Sequence, residues 1–285
     1  MQPHASVAAP QAVHGVAGPR PSGLSWTGLV QWITGPWSLG AAGLIALLLL
    51  WQLGHVSTPA AQQKFLPSPF QVVAALWVLL TEKGFIFDIF ISMGRILLSF
   101  FIASAIALPL GILMGSTAGI RNFFGPVISG ARYLPAASFV PLLLVWFGPT
   151  NAQKLALLVL GVIFFLIALI QDNAASVPKE LIESSKTMGA SDKRVVWDVI
   201  VPSSMPANVL AMRNMIAVSW TYLVIAEITA ASDGIGAVMM RAGRFLNVDV
   251  IMAGILTIGV LGVLTDFAFK AASYLLFPWQ RARKG

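Results

Sequence analysis

The chain has 285 residues, of which 57% are hydrophobic and only 10% charged, against about 25% charged in a soluble domain. So little charge cannot coat a water-exposed surface of this size, and the mean hydropathy of +0.82 points to a membrane protein. The net charge of +7 does not indicate nucleic acid, because the basic residues are scattered among apolar runs as in membrane loops. The absence of cysteine excludes a disulfide framework and a thiolate metal site.

Residues 1–36 are rich in Ala, Pro and Gly and have no helical period. They lack the basic start followed at once by an apolar core that a signal peptide needs, and they read as a disordered tail. From residue 37 to about 280 the chain is a membrane domain, and residues 281–285 form a basic C-terminus.

A transmembrane helix needs about 20 mainly apolar residues. Six segments come close: Trp37–Gly54, Ile89–Ser116, Val127–Phe147, Leu155–Gln171, Val209–Ala231 and Val250–Phe277. Between the first two, the prolines of LPSPFQVV mark a turn, and Phe70–Leu80 reads as an amphipathic helix in the interface. Gly111, Gly115 and Gly119 recur every four residues at the end of the second segment. Small residues at that spacing let helices approach closely, within one subunit or at a subunit seam. Pro109, Pro126, Pro135 and Pro141 interrupt helical ladders, which at membrane depth requires neighbours or a wet cavity to satisfy the freed carbonyls. Between the last two segments, Asp233-Gly234 marks a turn, followed by a short helix, Ala237–Phe245, that carries Arg241 and Arg244 outward.

Lys and Arg in the flanks set the orientation. With the N-terminus inside, the cytoplasmic set is Arg20, Arg121, Lys179, Lys186, Lys193, Arg194, Arg213, Lys270, Arg281, Arg283 and Lys284. The outer set is Lys64, Lys83, Arg95, Lys154, Arg241 and Arg244, with Arg132 inside the third segment. Eleven against six places both termini and the connection after the fourth segment in the cytoplasm.

That connection, residues 176–202, contains ESSKTMGASDKRVVWDVIVP. Ser176 can cap a helix with Pro178 in its first turn. Lys179–Met188 is then helical, with Leu181, Ile182, Ser185 and Met188 on one face. Gly189 is the expected C-terminal stop. Ser191 can cap a second short helix, which Pro202 and Pro206 end before the fifth segment. Such an element is either an amphipathic loop on the lipid surface or a rigid dock for a cytoplasmic partner.

Glu183-Ser184-Ser185, then Gly189, then Val199-Ile200-Val201-Pro202 resembles the cytoplasmic signature of ABC importer permeases. That signature is Glu-Ala-Ala, three residues, Gly, nine residues, Ile-x-Leu-Pro. Serines replace the alanines and valines replace Ile and Leu, so small and apolar character is kept. LPSPFQVV, SMGRILLSFFIASAIALPLGILMG, ARYLPAASFVPLLLVWFG and LLFPW resemble the nitrate, sulfonate and taurine subfamily, over about Leu66–Trp279.

The resemblance implies an all-α, polytopic type I importer permease with about six transmembrane helices and a cytoplasmic coupling helix, in a bacterial inner membrane. Glu183, Ser184, Ser185, Met188, Gly189, Ala190 and Pro202 would couple it to two cytoplasmic ATPase subunits. A second copy of the permease would share the path, and an extracytoplasmic binding protein would deliver a small oxyanion such as nitrate, a sulfonate or taurine. ATP and magnesium would be held by the ATPase and no cofactor by this chain, which has no G-x-x-x-x-G-K-[ST] loop.

Charges inside spans are costly and face a partner or a wet path. Arg95 and Glu227 lie at similar depth near the outer ends of their helices, within reach of one another, and are candidates for an outer gate. Arg132, Asp172 and Arg213 form a second candidate set near the inner side. Two other classes fit less well. A membrane enzyme would show a motif such as H-E-x-x-H or G-x-S-x-G, and neither occurs. A secondary transporter or channel leaves the cytoplasmic helix–turn–helix without a role.

Overall fold

The computed structural model describes residues 36–230 and 232–279, with the side chains of residues 36–38 excepted. The N-terminal tail with Arg20 and the basic end with Arg281, Arg283 and Lys284 lie outside the described residues. Every regular element among the described residues is helical. The chain divides into two units at Leu53 and Gly54. In the first, helix α1 (Pro36–Ser57) begins, with a length and hydropathy that can cross a membrane.

The second unit is built on three long helices. These are α3 (Phe85–Ser116), α6 (Asn151–Ala175) and a helix α8 that runs through Asp192–Thr229. Helix α6 packs against both α3 and α8, and α10 (Val248–Leu276) packs along α8. Two short helices pack at the end of this bundle opposite the Gly189 corner. Helix α2 (Pro69–Glu82) lies against α10, and α9 (Ile235–Arg244) packs against α8 and α10. Helix α2 starts at a reciprocal cap, in which Ser68 Oγ accepts from Gln71 N–H and the Gln71 side chain accepts from Ser68 N–H. It covers the predicted Phe70–Leu80 helix, buries Val72 and Leu79 and exposes Phe70, Val73 and Trp77. Arg241 and Arg244 are exposed on α9 as expected.

Close packing of α3 on α6 depends on two glycines. A Cβ on Gly111 would stand 2.7 Å from Ile170 Cβ, and one on Gly115 would stand 2.6 Å from both Ala174 Cβ and the Gln171 carbonyl oxygen. These two therefore serve packing within the subunit. Gly119 does not continue the stripe. It lies on the next helix, α4 (Ala118–Ala131), and nothing stands within 4 Å of its Cβ position.

Other expectations are corrected. The third segment is not one helix, because α4 and the Ala136–Phe147 helix that follows are bent by 86°. Pro135 has no N–H to donate and disfavours helix at Leu134, so the chain turns through Arg132–Leu134 and restarts as a 3-10 turn and α5 (Val140–Phe147). Pro109 and Pro126 remain inside continuous helices. Ser176 does not cap the next helix: it ends α6, and its hydroxyl donates to the Asn173 carbonyl.

Pro202 and Pro206 do not separate a short helix from the fifth span. Residues 195–200 form a π-turn, with Val201 N–H donating to the Val196 carbonyl, five residues back. The wider turn moves the preceding carbonyls away from the Pro202 ring. Ser204 Oγ then donates to the Ile200 carbonyl at 2.8 Å, and helix continues to Thr229. Ser191 stands in extended backbone before α8, without a side-chain cap bond.

Replacing Gly115 by leucine is expected to lower stability by about 1–3 kcal/mol or more, the cost of forcing an overpacked contact. Gly119→Leu should stay within about 0.5 kcal/mol, as exposed changes usually do. Thermal melts of both variants in one detergent check this, and equal melting would mean that α3 and α6 need no close approach.

Candidate functional site

The two predicted clusters stand at opposite ends of the helices. Twenty residues of α3 separate Arg95 from Gly115, which at helical rise is about 30 Å, the thickness of a bilayer's hydrocarbon core.

At one end, α7 (Lys179–Thr187) meets Gly189. Gly189 adopts φ +86°, a conformation that costs other residues strain. Gly189 N–H donates to Lys186 O at 2.9 Å and Ala190 N–H to Ser185 O at 3.0 Å, which together form a Schellman closure. Lys186 Nζ reaches Asp192 at 2.8 Å across the corner. The predicted coupling residues divide by exposure. Ser185 is buried and Ala190 half-buried, while Glu183, Ser184, Gly189 and Pro202 are exposed and Met188 is 82% exposed. The corner is thus a stiff element that presents a thioether and charges outward.

At the other end, Glu227 has no solvent exposure. Its carboxylate accepts from Arg95 Nη1 at 2.7 Å, from Ser92 Oγ at 2.7 Å and from Gly236 N–H at 2.8 Å. The predicted Arg95–Glu227 pair is therefore formed. Arg95 also donates to Asn151 Oδ1 at 2.6 Å and to the Asp233 carboxylate, and buried Lys154 reaches that carboxylate at 2.9 Å. The first amides of α9 are covered in turn: Gly234 N–H by Asp88 at 2.7 Å, Ile235 N–H by Ser92 at 3.0 Å and Gly236 N–H by Glu227. Negative groups suit a helix N-terminus. Gly234 has φ +93°, and a Cβ there would collide with the Glu227 carboxylate. The result is a clasp that ties α3, α6 and α8 to the start of α9.

The inner set does not assemble. Arg213 forms a bidentate pair with Asp266 of α10 at 2.5 and 2.6 Å, not with Asp172. Asp172 is exposed near the end of α6. Arg132 sits at the bend after α4, with Nε buried and without a hydrogen-bond partner.

Sequence reading missed Asp88, Ser92, Asn151, Lys154, Asp233 and Asp266. Part of the signal was available: Asp88, Ser92 and Arg95 lie at i, i+4 and i+7 on one face of α3, and Asn151 and Lys154 at i and i+3 on α6.

Partial burial pushes the Asp233 carboxyl up, but hydrogen bonds from Arg95 and Lys154 outweigh it and bring it from 3.8 to about 2. A depressed folded-state value stabilises above the unfolded pKa, and the stabilisation is lost as pH falls through the folded one. The melting temperature should therefore carry a component that declines between about pH 4 and pH 2, and Asp233→Asn should remove it.

Glu227→Gln should cost about 3–5 kcal/mol, because it leaves a buried arginine short of its partner. With Arg95→Gln added, the loss should fall short of the sum by about 1 kcal/mol or more; strict additivity in unfolding titrations would show that the two do not act together. A charge-swapped pair should not recover stability, because an arginine at 227 offers no acceptor to Gly236 N–H.

The family model for the binding-protein-dependent transport system inner membrane component matches residues 107–281. The taurine transport system permease protein TauC of Escherichia coli (strain K12) is 31% identical, over 83% of this chain and 88% of its own. The nitrate import permease protein NrtB of Synechocystis sp. is 24% identical, over 84% of this chain and 88% of its own. Among solved structures, the MetNI methionine ABC transporter in an inward-facing conformation matches with a TM-score of 0.58 at 19% identity, over 72% of this chain and 96% of that one, which is a likeness of fold. The chain belongs to the binding-protein-dependent transport system inner membrane components, within the nitrate, sulfonate and taurine group of ABC importer permeases.

Proposed function

We propose that this permease pairs with a second copy of itself around one path for a small oxyanion of the sulfonate, taurine or nitrate type. The relatives named for taurine and nitrate support that substrate class. An extracytoplasmic binding protein delivers the solute at the clasp end. Two ATPase subunits, which carry the ATP and magnesium, engage the corner at the other end. In that orientation both termini and residues 1–36 are cytoplasmic, and the membrane domain covers residues 37–280.

The observation that carries this reading is the corner between α7 and α8. Met188 is 82% exposed at a turn that the Gly189 closure and the Lys186–Asp192 pair hold rigid. An unbranched thioether on a fixed corner suits insertion into a partner's groove. Glu183 and Ser184 stand beside it, Ser185 anchors α7 from beneath, and Pro202 lies within the helix that leaves the corner at Asp192. The ATPase closes on ATP and moves this corner, and hydrolysis resets it.

Gly189→Pro removes the N–H that closes the turn and demands a negative φ, so it should abolish co-purification of the ATPase. Glu183→Arg should weaken co-purification about tenfold, the loss of one charge-assisted contact, while the melting temperature stays unchanged. Full capture of the ATPase by both variants would refute the docking role. Binding of taurine, an alkanesulfonate and nitrate to the cognate binding protein would then choose the solute.

A further inference from the structure

We propose that the cytoplasmic end of the permease holds one anionic phospholipid, with its phosphate headgroup in a basic cavity and an acyl chain in the apolar cleft beside it. The inference rests on the orientation proposed above, and is separate from ATPase docking.

The cavity has a volume of about 520 Å³ and lies where α3 passes into α4, beside the end of α6 and the start of α7. Its cations are Arg121 of α4 and Lys179 and Lys186 of α7, and its one acid is Asp192. Asp192 is engaged by Lys186. Among the described residues, Arg121 and Lys179 have no acidic partner within ion-pair distance. The start of α4 opens onto the same space. Thr117 and Ala118 line it, and Thr117 makes no side-chain cap bond to the free amides of that turn. Two unpaired cations converging from α4 and the start of α7 suit a phosphate diester.

The cleft explains why the anion should be a lipid. It has a volume of about 240 Å³ and lies between α3 and α8, lined by Leu108, Pro109, Leu113, Val196, Trp197 and Met205. Val196 lines both spaces. On α3 the cleft begins at Leu113, less than one turn from Gly115, and extends about one and a half turns to Leu108, toward the membrane interior. Trp197 is 62% exposed beside it, a position that suits an interfacial indole. A free anion has no use for the cleft, and a soluble acidic partner has no apolar tail to fill it. Basic pockets on the cytoplasmic side of membrane helices are recognised lipid-headgroup sites. Ile182 and Lys186 of α7 also line the cavity, so a bound lipid ties the corner to the membrane helices.

The test uses the full-length chain in detergent, with native mass spectrometry and thermal melts during titration. Dioleoylphosphatidylglycerol should bind and stabilise at about tenfold lower concentration than dioleoylphosphatidylcholine, the effect of two unpaired cations near a surface. Arg121→Glu combined with Lys179→Glu, both at exposed positions, should abolish that preference while retaining ATPase capture. Leu113→Trp, which fills the cleft, should weaken phosphatidylglycerol binding with the basic cavity intact. Equal binding of the two lipids, or equal stabilisation by inorganic phosphate alone, overturns the proposal. So does joint loss of lipid preference and ATPase capture in the charge-reversed variant, which would make the cavity a protein contact.

Discussion

A single buried carboxylate organises the end of this permease opposite the Gly189 corner. Burying an ionised glutamate without partners would cost many kcal/mol, and at bilayer depth no bulk water replaces them. Glu227 is tolerated because a guanidinium, a hydroxyl and a backbone amide converge on it. Each donor comes with a commitment elsewhere. Arg95 brings Asn151 and Asp233, Ser92 brings the Ile235 amide, and Gly236 brings the whole first turn of α9. The glycines at 234 and 236 belong to the same constraint, since a Cβ on Gly236 would stand 2.7 Å from that of Glu227. The clasp therefore accounts for the start of α9 and for the contacts of three long helices.

The spans were legible in the sequence because apolar length is a direct requirement of the bilayer. The corner at Gly189 was legible because a positive φ leaves a residue-level mark. Arg95 and Glu227 were legible as a pair because two opposite charges at one depth are costly apart. The rest of the clasp was not, because Lys154 and Asp233 read as ordinary loop-end charges until the fold brings them together. The inner set failed for a related reason. Arg213 finds Asp266 on α10, and depth alone does not say which helices are neighbours. The bend after Arg132 was hidden as well, since Pro126 and Pro135 look alike in sequence, yet only Pro135 coincides with a break.

Proline context matters most in α8. A reading that stops a helix at Pro202 makes the corner's second helix separate from the fifth span. The structure joins the two into one helix. The π-turn at residues 195–200 absorbs the first proline, and the Ser204 hydroxyl bonds the Ile200 carbonyl beside it. One helix then runs from Asp192, beside the Gly189 corner, to Thr229, two residues beyond Glu227.

That continuity has a mechanical consequence. Helices resist bending except where the ladder is modified, and in α8 the modified stretch is residues 195–206. A displacement of the corner thus enters a helix whose soft region is confined to the end nearest that corner. Beyond it, Asn208 is held by Asn173 of α6 at 3.0 Å, Trp220 by Thr265 of α10 at 3.1 Å and Glu227 by the clasp. A movement that passes the π-turn must carry α6 and α10 with it and reach Arg95 on α3. The same chemistry that makes Glu227 tolerable in the membrane makes it the far terminus of that lever.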